Sequence, residues 1–319
     1  MLGLGGTANS YIITSPGTYS FPCVKGSSCE PVGEVSAARV LWSKPSASAD
    51  PSVTLVDDLA CDSTGITFCV RSPFVEGNVL VSALDARGRV LWSWHLWLTD
   101  APSERIYAGG AGVAMDRNLG ALSTAWLDPD SQGLMYQWGR KDPFAAGLYD
   151  TVPSDGKHGT SDYARQHPAT FICGNRFNRD WLFPGHEVAS ASWSKSVEDP
   201  CPPGWMLPGA MFWKDSGECG VYGSEQTGII LIAGARSALP LLEGAAECHD
   251  APSGWYPSAG YLDWQSGKPA GQGMYGFYWS GEPQGELADQ MYFFRTGYAN
   301  MRRATFRSYG AAVRCVKQQ

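Results

Sequence analysis

The sequence predicts two β-rich units: an all-β sandwich at the N-terminus, followed by a loop-rich domain. Three observations carry this. Gly (38) and Pro (21) are abundant, Trp (13) is in excess, and only 17% of the residues are charged, below the roughly 25% usual for soluble domains. The first hundred residues alternate short β-prone runs with turn residues and show no sustained 3.6-residue periodicity. At 319 residues, two domains are the expectation, each able to bury a core.

The strands are expected at Ser10–Thr14, Thr18–Pro22, Ala38–Trp42, Val53–Val56, Ile66–Arg71 and Val79–Leu84. They are separated by the turns Ser15-Pro16-Gly17, Lys25-Gly26-Ser27-Ser28 and Glu76-Gly77-Asn78. Asp85-Ala86-Arg87-Gly88 joins two apolar runs as a hairpin, with Gly88 at the positive-φ position. In the arm that follows, Trp92, Trp94, Leu96 and Leu98 alternate with Leu91, Ser93, His95 and Trp97. Large apolar groups on both faces mark a central strand, or one covered by a neighbouring domain. Short strands at this spacing suggest a sandwich.

The pattern changes near residues 100–108, so the sandwich is assigned to 1–104 and the second domain to 105–319. Residues 126–200 hold little regular pattern, which suits only a loop-rich fold. Order returns with a short helix or turn at Pro208–Asp215 and strands at Gly228–Ala233, Phe277–Ser280, Gln290–Arg295 and Ala311–Val316. Nine of the 13 Trp lie after residue 105, where regular structure is sparsest.

Several classes are excluded. No apolar run is long enough to span a bilayer, the aromatic content is too high for a disordered chain, and a net charge of −7 gives nucleic acid no footing. The opening Met1-Leu2-Gly3-Leu4-Gly5-Gly6 is no signal peptide. The nine cysteines, at 23, 29, 61, 69, 173, 201, 219, 248 and 315, form no Cys-x-x-Cys pair, so zinc is not expected. Disulfides and an oxidising compartment are the first reading, buried free thiols the second. A start of this kind fits either a cytosolic protein or a processed one, and the disulfide reading favours the processed, exported protein. Cys23/Cys29 and Cys61/Cys69 are pairs close in sequence. A Cys201–Cys315 bridge would close a loop of more than 100 residues, worth about 4–5 kcal/mol in the chain-entropy model.

Five motifs converge on a resemblance. They are Met115-Asp116-Arg117-Asn118-Leu119-Gly120, Tyr136 to Phe144 (YQWGRKDPF), Asp199 to Pro208 (DPCPPGWMLP), Tyr278-Trp279-Ser280 and Val313-Arg314-Cys315-Val316. Together they resemble the Fibrobacter major paralogous domain, a C-type-lectin-like module of secreted Bacteroidetes proteins. The front part, through Ala8 to Ile13, Pro16 to Tyr19 and Leu91 to Trp97, resembles the β-sandwich that precedes that module. The pairing is similar to surface proteins and fimbrial tip adhesins of gut Bacteroidales. The resemblance implies an α+β, loop-rich C-terminal domain stapled by Cys201–Cys315. It departs at Ser10, where similar sequences often carry cysteine.

Calcium-dependent sugar binding needs clustered oxygen ligands. Glu282-Pro283-Gln284, Glu286 and Asp289 supply one acidic stretch, but Gln290-Met291-Tyr292 stands where a second triplet would fall, so no metal and no cofactor are expected. Metal-free binding would use exposed aromatics among Trp255, Tyr256, Tyr261, Trp264, Tyr275 and Tyr278, whose other reading is core packing. The candidate ligand-binding residues are Trp255, Tyr256, Trp264, Tyr275, Glu282 and Gln284; no catalytic residue is named. His95, His158, His167, His186 and His249 have no metal spacing, and His95 reads as a packed strand residue. Asp116-Arg117-Asn118 reads as a salt-bridged turn. Arg302, Arg303 and Arg307 read as a solvated hairpin, with an anion-binding surface second. Gly-x-Ser-x-Gly is absent, as are the cysteine pair and Arg-Gly-Gly-Ser-Trp-like segment of the related formylglycine-generating enzymes.

The expectation is therefore a non-enzymatic cell-surface, outer-membrane or fimbrial adhesin. It would bind a glycan or a host or microbial surface protein through C-terminal loops and adjoin other fimbrial or surface subunits. A structural module without a ligand site and a divergent enzyme on the lectin-like scaffold are the alternatives.

Overall fold

The computed structural model describes residues 1–62, 64–107, 112–125, 128–185, 192–215, 218–221, 228–232, 255–294 and 298–318. His186, Cys248, His249 and the side chain of Cys219 lie outside this description, as do the expected strand ends Ala233 and Arg295. The chain is nearly all β. Seven strands form the N-terminal part: β1 (Ser10–Ile13), β2 (Gly17–Phe21), β3 (Ala37–Pro45), β4 (Asp57–Asp62), β5 (Gly65–Val70), β6 (Gly77–Leu84) and β7 (Val90–Leu98). They make a four-stranded sheet, β1-β7-β6-β3, and a three-stranded sheet, β2-β5-β4. Tyr11, Ile13, Val79, Val81, Trp92 and Trp94 from the first meet Phe21, Ile66, Phe68 and Val70 from the second in one core, which is a sandwich packing.

Two expectations need correction here. Val53–Val56 is not a strand. The Val53 amide closes a turn onto the Asp50 carbonyl at 3.0 Å, Leu55 and Val56 enter the sandwich core from a loop, and pairing starts at Asp57. The cysteine pairs close in sequence are also unbonded: Cys23, Cys29, Cys61 and Cys69 are all free. Cys61 stands opposite Ile66 of β5 while Cys69 lies three residues further along it, an odd spacing that turns the two side chains to opposite faces. In the hairpin beyond β2, Val24 bridges Pro31 and the Val32 amide donates to the Cys23 carbonyl, leaving Cys29 exposed towards the tip.

The hairpin at Asp85–Gly88 forms as expected, with Gly88 at φ 77° and Asp85 Oδ1 accepting the amides of Arg87 and Arg89 at 2.9 Å. Strand β7 is central, between β1 and β6. Trp92, Trp94, Leu96 and Leu98 face the sandwich core, while Trp97 packs with Met115, Leu119, Trp138 and Trp279. His95, on that second face, bonds Asn78 Oδ1 at 2.8 Å. Complete burial drives its pKa down to about 3, so the ring stays neutral.

The remaining strands are β8 (Glu104–Tyr107), β9 (Gly112–Met115), β10 (Met135–Gln137), β11 (Asp150–Pro153), β12 (Thr170–Cys173), β13 (Trp205–Met206), β14 (Glu218–Val221), β15 (Gly228–Ile232), β16 (Trp255–Pro257), β17 (Tyr261–Leu262), β18 (Pro269–Ala270), β19 (Tyr275–Gln284), β20 (Leu287–Phe294), β21 (Tyr298–Phe306), β22 (Gly310–Ala312) and β23 (Val316–Lys317). The helices α1 (Ser161–Gln166) and α2 (Phe212–Asp215) are short. Thr160 caps α1 by accepting the Tyr163 amide at 3.0 Å. The largest sheet runs β18-β17-β22-β19-β20-β21, with β10 joining at β22. The expected strand Ala311–Val316 is interrupted at residues 313–315.

The two halves share one interior. Trp42, Leu80 and Trp97 of the sandwich belong to the same buried cluster as Trp138, Trp193 and Trp279. Polar clamps cross the junction too. Asn9 donates to the carbonyls of Val197 and Asp199 at 2.7 and 2.8 Å, and Ser10 Oγ donates to Pro200 O at 2.8 Å. Lys141, fully buried, donates to Ser93 Oγ at 2.5 Å and Asp142 Oδ1 at 2.6 Å and lies 4.6 Å from the Trp92 ring.

The disulfide joins Cys201 to Cys315 across 114 residues, with Cα atoms 5.9 Å apart. The loop before it turns around Asp199, whose oxygens accept the amides of Lys195, Cys201 and Leu207. Burial nevertheless raises the Asp199 pKa to about 6. Arg117 forms the expected salt-bridged turn, with Asp116 at 3.0 Å and also Asp100 at 2.5 Å.

Candidate ligand-binding face

Strand alternation divides the largest sheet into two faces. On β19, Tyr278 joins Met291 and Phe293 of β20 on the face that packs against Phe212, Trp213 and Tyr256. Tyr275, Phe277 and Trp279 lie on the opposite face. Its Trp279 end is closed by Trp138 and Trp193, and Trp279 Nε1 donates to Tyr136 O at 2.7 Å. Its Tyr275 end carries half-buried rings.

Those rings form a continuous ribbon. Trp264 meets Phe306 edge-on at 5.5 Å, and Phe306 lies parallel to Tyr309 at 6.0 Å. Tyr309 reaches Tyr261 at 5.4 Å and Phe277 at 5.6 Å. Phe277 touches Tyr292 at 5.2 Å, and Tyr275 lies 6.0 Å from Tyr292 and 4.9 Å from Phe294. Phe277 is buried beneath the others; Tyr261, Trp264, Tyr275, Tyr292, Phe294, Phe306 and Tyr309 keep part of their surface open. Glycine makes the close approach possible in two places. A Cβ at Gly271, whose φ is +68°, would stand 2.5 Å from the Tyr275 ring, and one at Gly174 would stand 2.7 Å from the Trp264 ring.

Two exposed arginines flank the ribbon. Arg179 lies over Phe306 at 5.0 Å and Arg303 over Tyr292 at 4.4 Å. Burial raises the Tyr309 hydroxyl pKa, with smaller upward pushes from Tyr261 and Asp263, while the guanidiniums of Arg303 and Arg179 pull it part-way back. Both cations therefore act on the same ring. The arginine cluster expected as one hairpin surface splits apart. Arg302 binds Asp289 at 2.9 Å. Arg307 is buried over Trp138 and bonds the carbonyls of Gly285 and Leu287. Arg303 alone of the three joins the ring ribbon.

The expected site residues do not converge. Trp264 and Tyr275 belong to the face. Tyr256 is fully buried, bonded to Tyr107 at 2.9 Å and lying under Arg314 at 4.2 Å, so it offers no ligand surface; Tyr278 is likewise core. Trp255 is half-buried, and its carbonyl accepts Arg314 at 2.7 Å. Glu282 and Gln284 occupy the far end of β19, roughly 20–30 Å of strand away from Tyr275. Asp289 is buried and paired, and among the described residues no three His, Cys, Asp or Glu side chains gather as a metal site. Sequence reasoning missed Tyr292, Phe294, Phe306, Tyr309, Arg179 and this role of Arg303. The period-2 pairs Tyr275/Phe277 and Tyr292/Phe294 were the available signal, and their register places Phe277 opposite Tyr292 and Tyr275 opposite Phe294.

Two other concavities lie at the junction of the halves. One of about 200 Å³ is bordered by Thr7, Lys195, Gln318 and Trp205. The other, about 390 Å³, is bordered by Lys25, Glu30, Asp162 and Arg165. In the first, Lys195 Nζ is already held by Trp205 O and Gln318 Oε1.

Two residues before Tyr292 on β20, Gln290 is 1% exposed, and neither end of its amide has a hydrogen-bond partner among the described residues. An unmet buried amide costs about 1–3 kcal/mol. Gln290→Met should therefore raise unfolding stability by that amount in guanidinium titration; a loss would show that the amide is satisfied in solution. No family model matches the chain, and no curated protein or solved structure matches it either.

Proposed function

We propose that this chain is a non-enzymatic cell-surface or fimbrial tip adhesin that holds a glycan or protein ligand on the aromatic face of its C-terminal half. The observation that carries this reading is the ribbon of seven half-open rings flanked by Arg179 and Arg303. Tyr, Trp, Phe and Arg are the residues enriched where proteins bind partners, and contiguous open aromatic surface marks interaction sites. A pyranose lays its C–H face on such rings while polar neighbours orient it. Export is supported by the Cys201–Cys315 disulfide, which belongs in an oxidising compartment. The C-type-lectin-like character of the second domain, its division from the sandwich near residue 104, and the kinship with the Fibrobacter major paralogous domain belong to the same proposal. They rest on the five sequence motifs. The packing of Arg314 supports them, since it ties two of these motifs together through Asn118 Oδ1 at 2.9 Å and Met115 O at 3.2 Å.

The test is binding of the purified chain to a glycan array and to surface-protein extracts, beside Trp264→Ala and Tyr275→Ala. Wild type should bind, and each variant, folded by circular dichroism, should bind at least tenfold more weakly, as expected for central aromatic contacts. Undiminished binding by both variants would overturn the aromatic face as the site. No binding to any probe would favour the structural-module reading.

A further inference from the structure

We propose that the ligand of this face is an acidic glycan, a short oligosaccharide carrying carboxylate or sulfate groups, gripped by Arg179 and Arg303. This rests on the reading of the face as a binding surface and adds the class of ligand. The chain is acidic overall, at −7, yet the open ring surface is bounded by cations.

Arg179 and Arg303 differ from the arginines that pair with carboxylates or main chain, and share with Arg176, which lies over the Phe177 ring at 5.2 Å, a guanidinium stacked on an aromatic ring. Arg117, Arg165, Arg302 and Arg307 pair with carboxylates, and Arg140 and Arg314 spend their donors on main-chain carbonyls and the side-chain amides of Gln137 and Asn118. Arg179 and Arg303 have no carboxylate within salt-bridge distance among the described residues. Among the described residues their side chains lie against the Phe306 and Tyr292 rings beneath them. A guanidinium stacked on a ring uses its flat face and leaves its in-plane N–H fork free. That fork matches a carboxylate or sulfate in two parallel charge-assisted hydrogen bonds. Asp263, the carboxylate that acts on Tyr261 and Tyr309, is engaged in its own turn through the amides of Gln265 and Ser266 and the Ser266 hydroxyl.

A second observation concerns how Arg179 is placed. Its φ is +58°, in the left-handed region that residues with a Cβ rarely adopt. The surrounding turn enforces it. The Arg179 amide donates to Asn175 O at 3.0 Å, its carbonyl accepts Ser308 Oγ at 2.5 Å, and Asn175 Oδ1 accepts the amides of Phe177 and Asn178. A strained arginine held over Phe306 by a fully bonded turn is a placement that needs a use.

The spacing favours an oligosaccharide. Ring-to-ring steps of 6.0, 5.6 and 5.2 Å lead from Phe306 through Tyr309 and Phe277 to Tyr292, so the cations bracket several ring widths. Between them Tyr261, Tyr275, Tyr292 and Tyr309 keep part of their ring surface open, apolar area of the kind that pyranose C–H groups pack on. An acidic peptide would instead present main-chain donors and acceptors that rings cannot satisfy.

The experiment measures affinity of the whole chain for hyaluronan oligosaccharides, sulfated heparin oligosaccharides, neutral chito-oligosaccharides and poly-glutamate. Wild type should prefer the charged glycans and weaken as salt rises. Arg179→Gln and Arg303→Gln should each reduce that affinity about tenfold and flatten its salt dependence, so that the preference for charged over neutral glycans shrinks, while Tyr275→Ala weakens charged and neutral binding alike. Equal affinity for neutral and charged glycans, with silent arginine variants, would overturn the acidic preference and leave the adhesin reading standing. Binding of poly-glutamate alone would overturn the glycan. Failure to bind every probe, together with absence of binding in the array and extracts, would overturn both readings.

Discussion

Replacing Cys201 and Cys315 by serine should cost about 4–5 kcal/mol of folding free energy. The bridge spans 114 residues, and the chain-entropy model gives that magnitude for a loop of such length. Local structure adds reasons for the link to matter. The Cys315 carbonyl accepts the Met115 amide at 3.0 Å, so the bridge joins the Asp199–Cys201 turn to the β13-β23-β9-β8 sheet. Both half-cystines sit in the cluster that also holds Trp42 and Trp97 of the sandwich. Guanidinium unfolding of wild type with and without dithiothreitol, beside the double-serine variant, checks this. Reduction should lower wild-type stability to that of the variant and leave the variant unchanged. A difference below about 1 kcal/mol would show that the unfolded chain is not restrained by the bridge.

Lys141→Met should destabilise the protein by about 3–5 kcal/mol, because it strands the Asp142 carboxylate, 4% exposed, without its cation. Ser93 Oγ donates to the same carboxylate at 2.5 Å, but one hydroxyl cannot replace an ammonium. The double variant Lys141→Met, Asp142→Leu should recover most of the loss, since removing both charges also removes their desolvation cost. A double-mutant cycle in thermal or denaturant unfolding measures the coupling, expected at several kcal/mol. Additive single effects would overturn the account. A second cycle pairing Lys141→Met with Ser93→Ala reports on the junction, because Lys141 lies in the second half and Ser93, which accepts its ammonium, in the sandwich.

Local patterns were legible where one rule dominated. Gly88 marks a turn that needs positive φ, and the Trp-rich arm after it carries apolar groups on both faces because it is central on one axis and covered by the second half on the other. Cys201 and Cys315 were readable through the motifs around them. Val53–Val56 is β-prone by composition yet not a strand, because burial of Leu55 and Val56 comes from a loop folded over the sandwich. The cysteine pairs failed because closeness in sequence says nothing about which face a strand residue occupies. The ligand-binding set failed for a similar reason. Trp255, Tyr256, Trp264 and Tyr275 were grouped by proximity along the chain, but strand direction sends Tyr256 into the core, and β19 carries Glu282 and Gln284 far from Tyr275.

By itself the amino-acid sequence determined the β character, the turns, the N-terminal sandwich and the aromatic surplus of the second half, because these follow from residue-by-residue propensity and period-2 alternation. Only the tertiary structure decided which aromatics stay open. Tyr256 and Tyr275 are the same residue type in the same stretch, yet one is buried beneath Arg314 and the other edges the ribbon near Arg303. That difference arises from long-range register, in which β19, β20 and β21 align rings separated by tens of residues, and from the packing of Trp138 and Trp193 over one end of the sheet face and not the other.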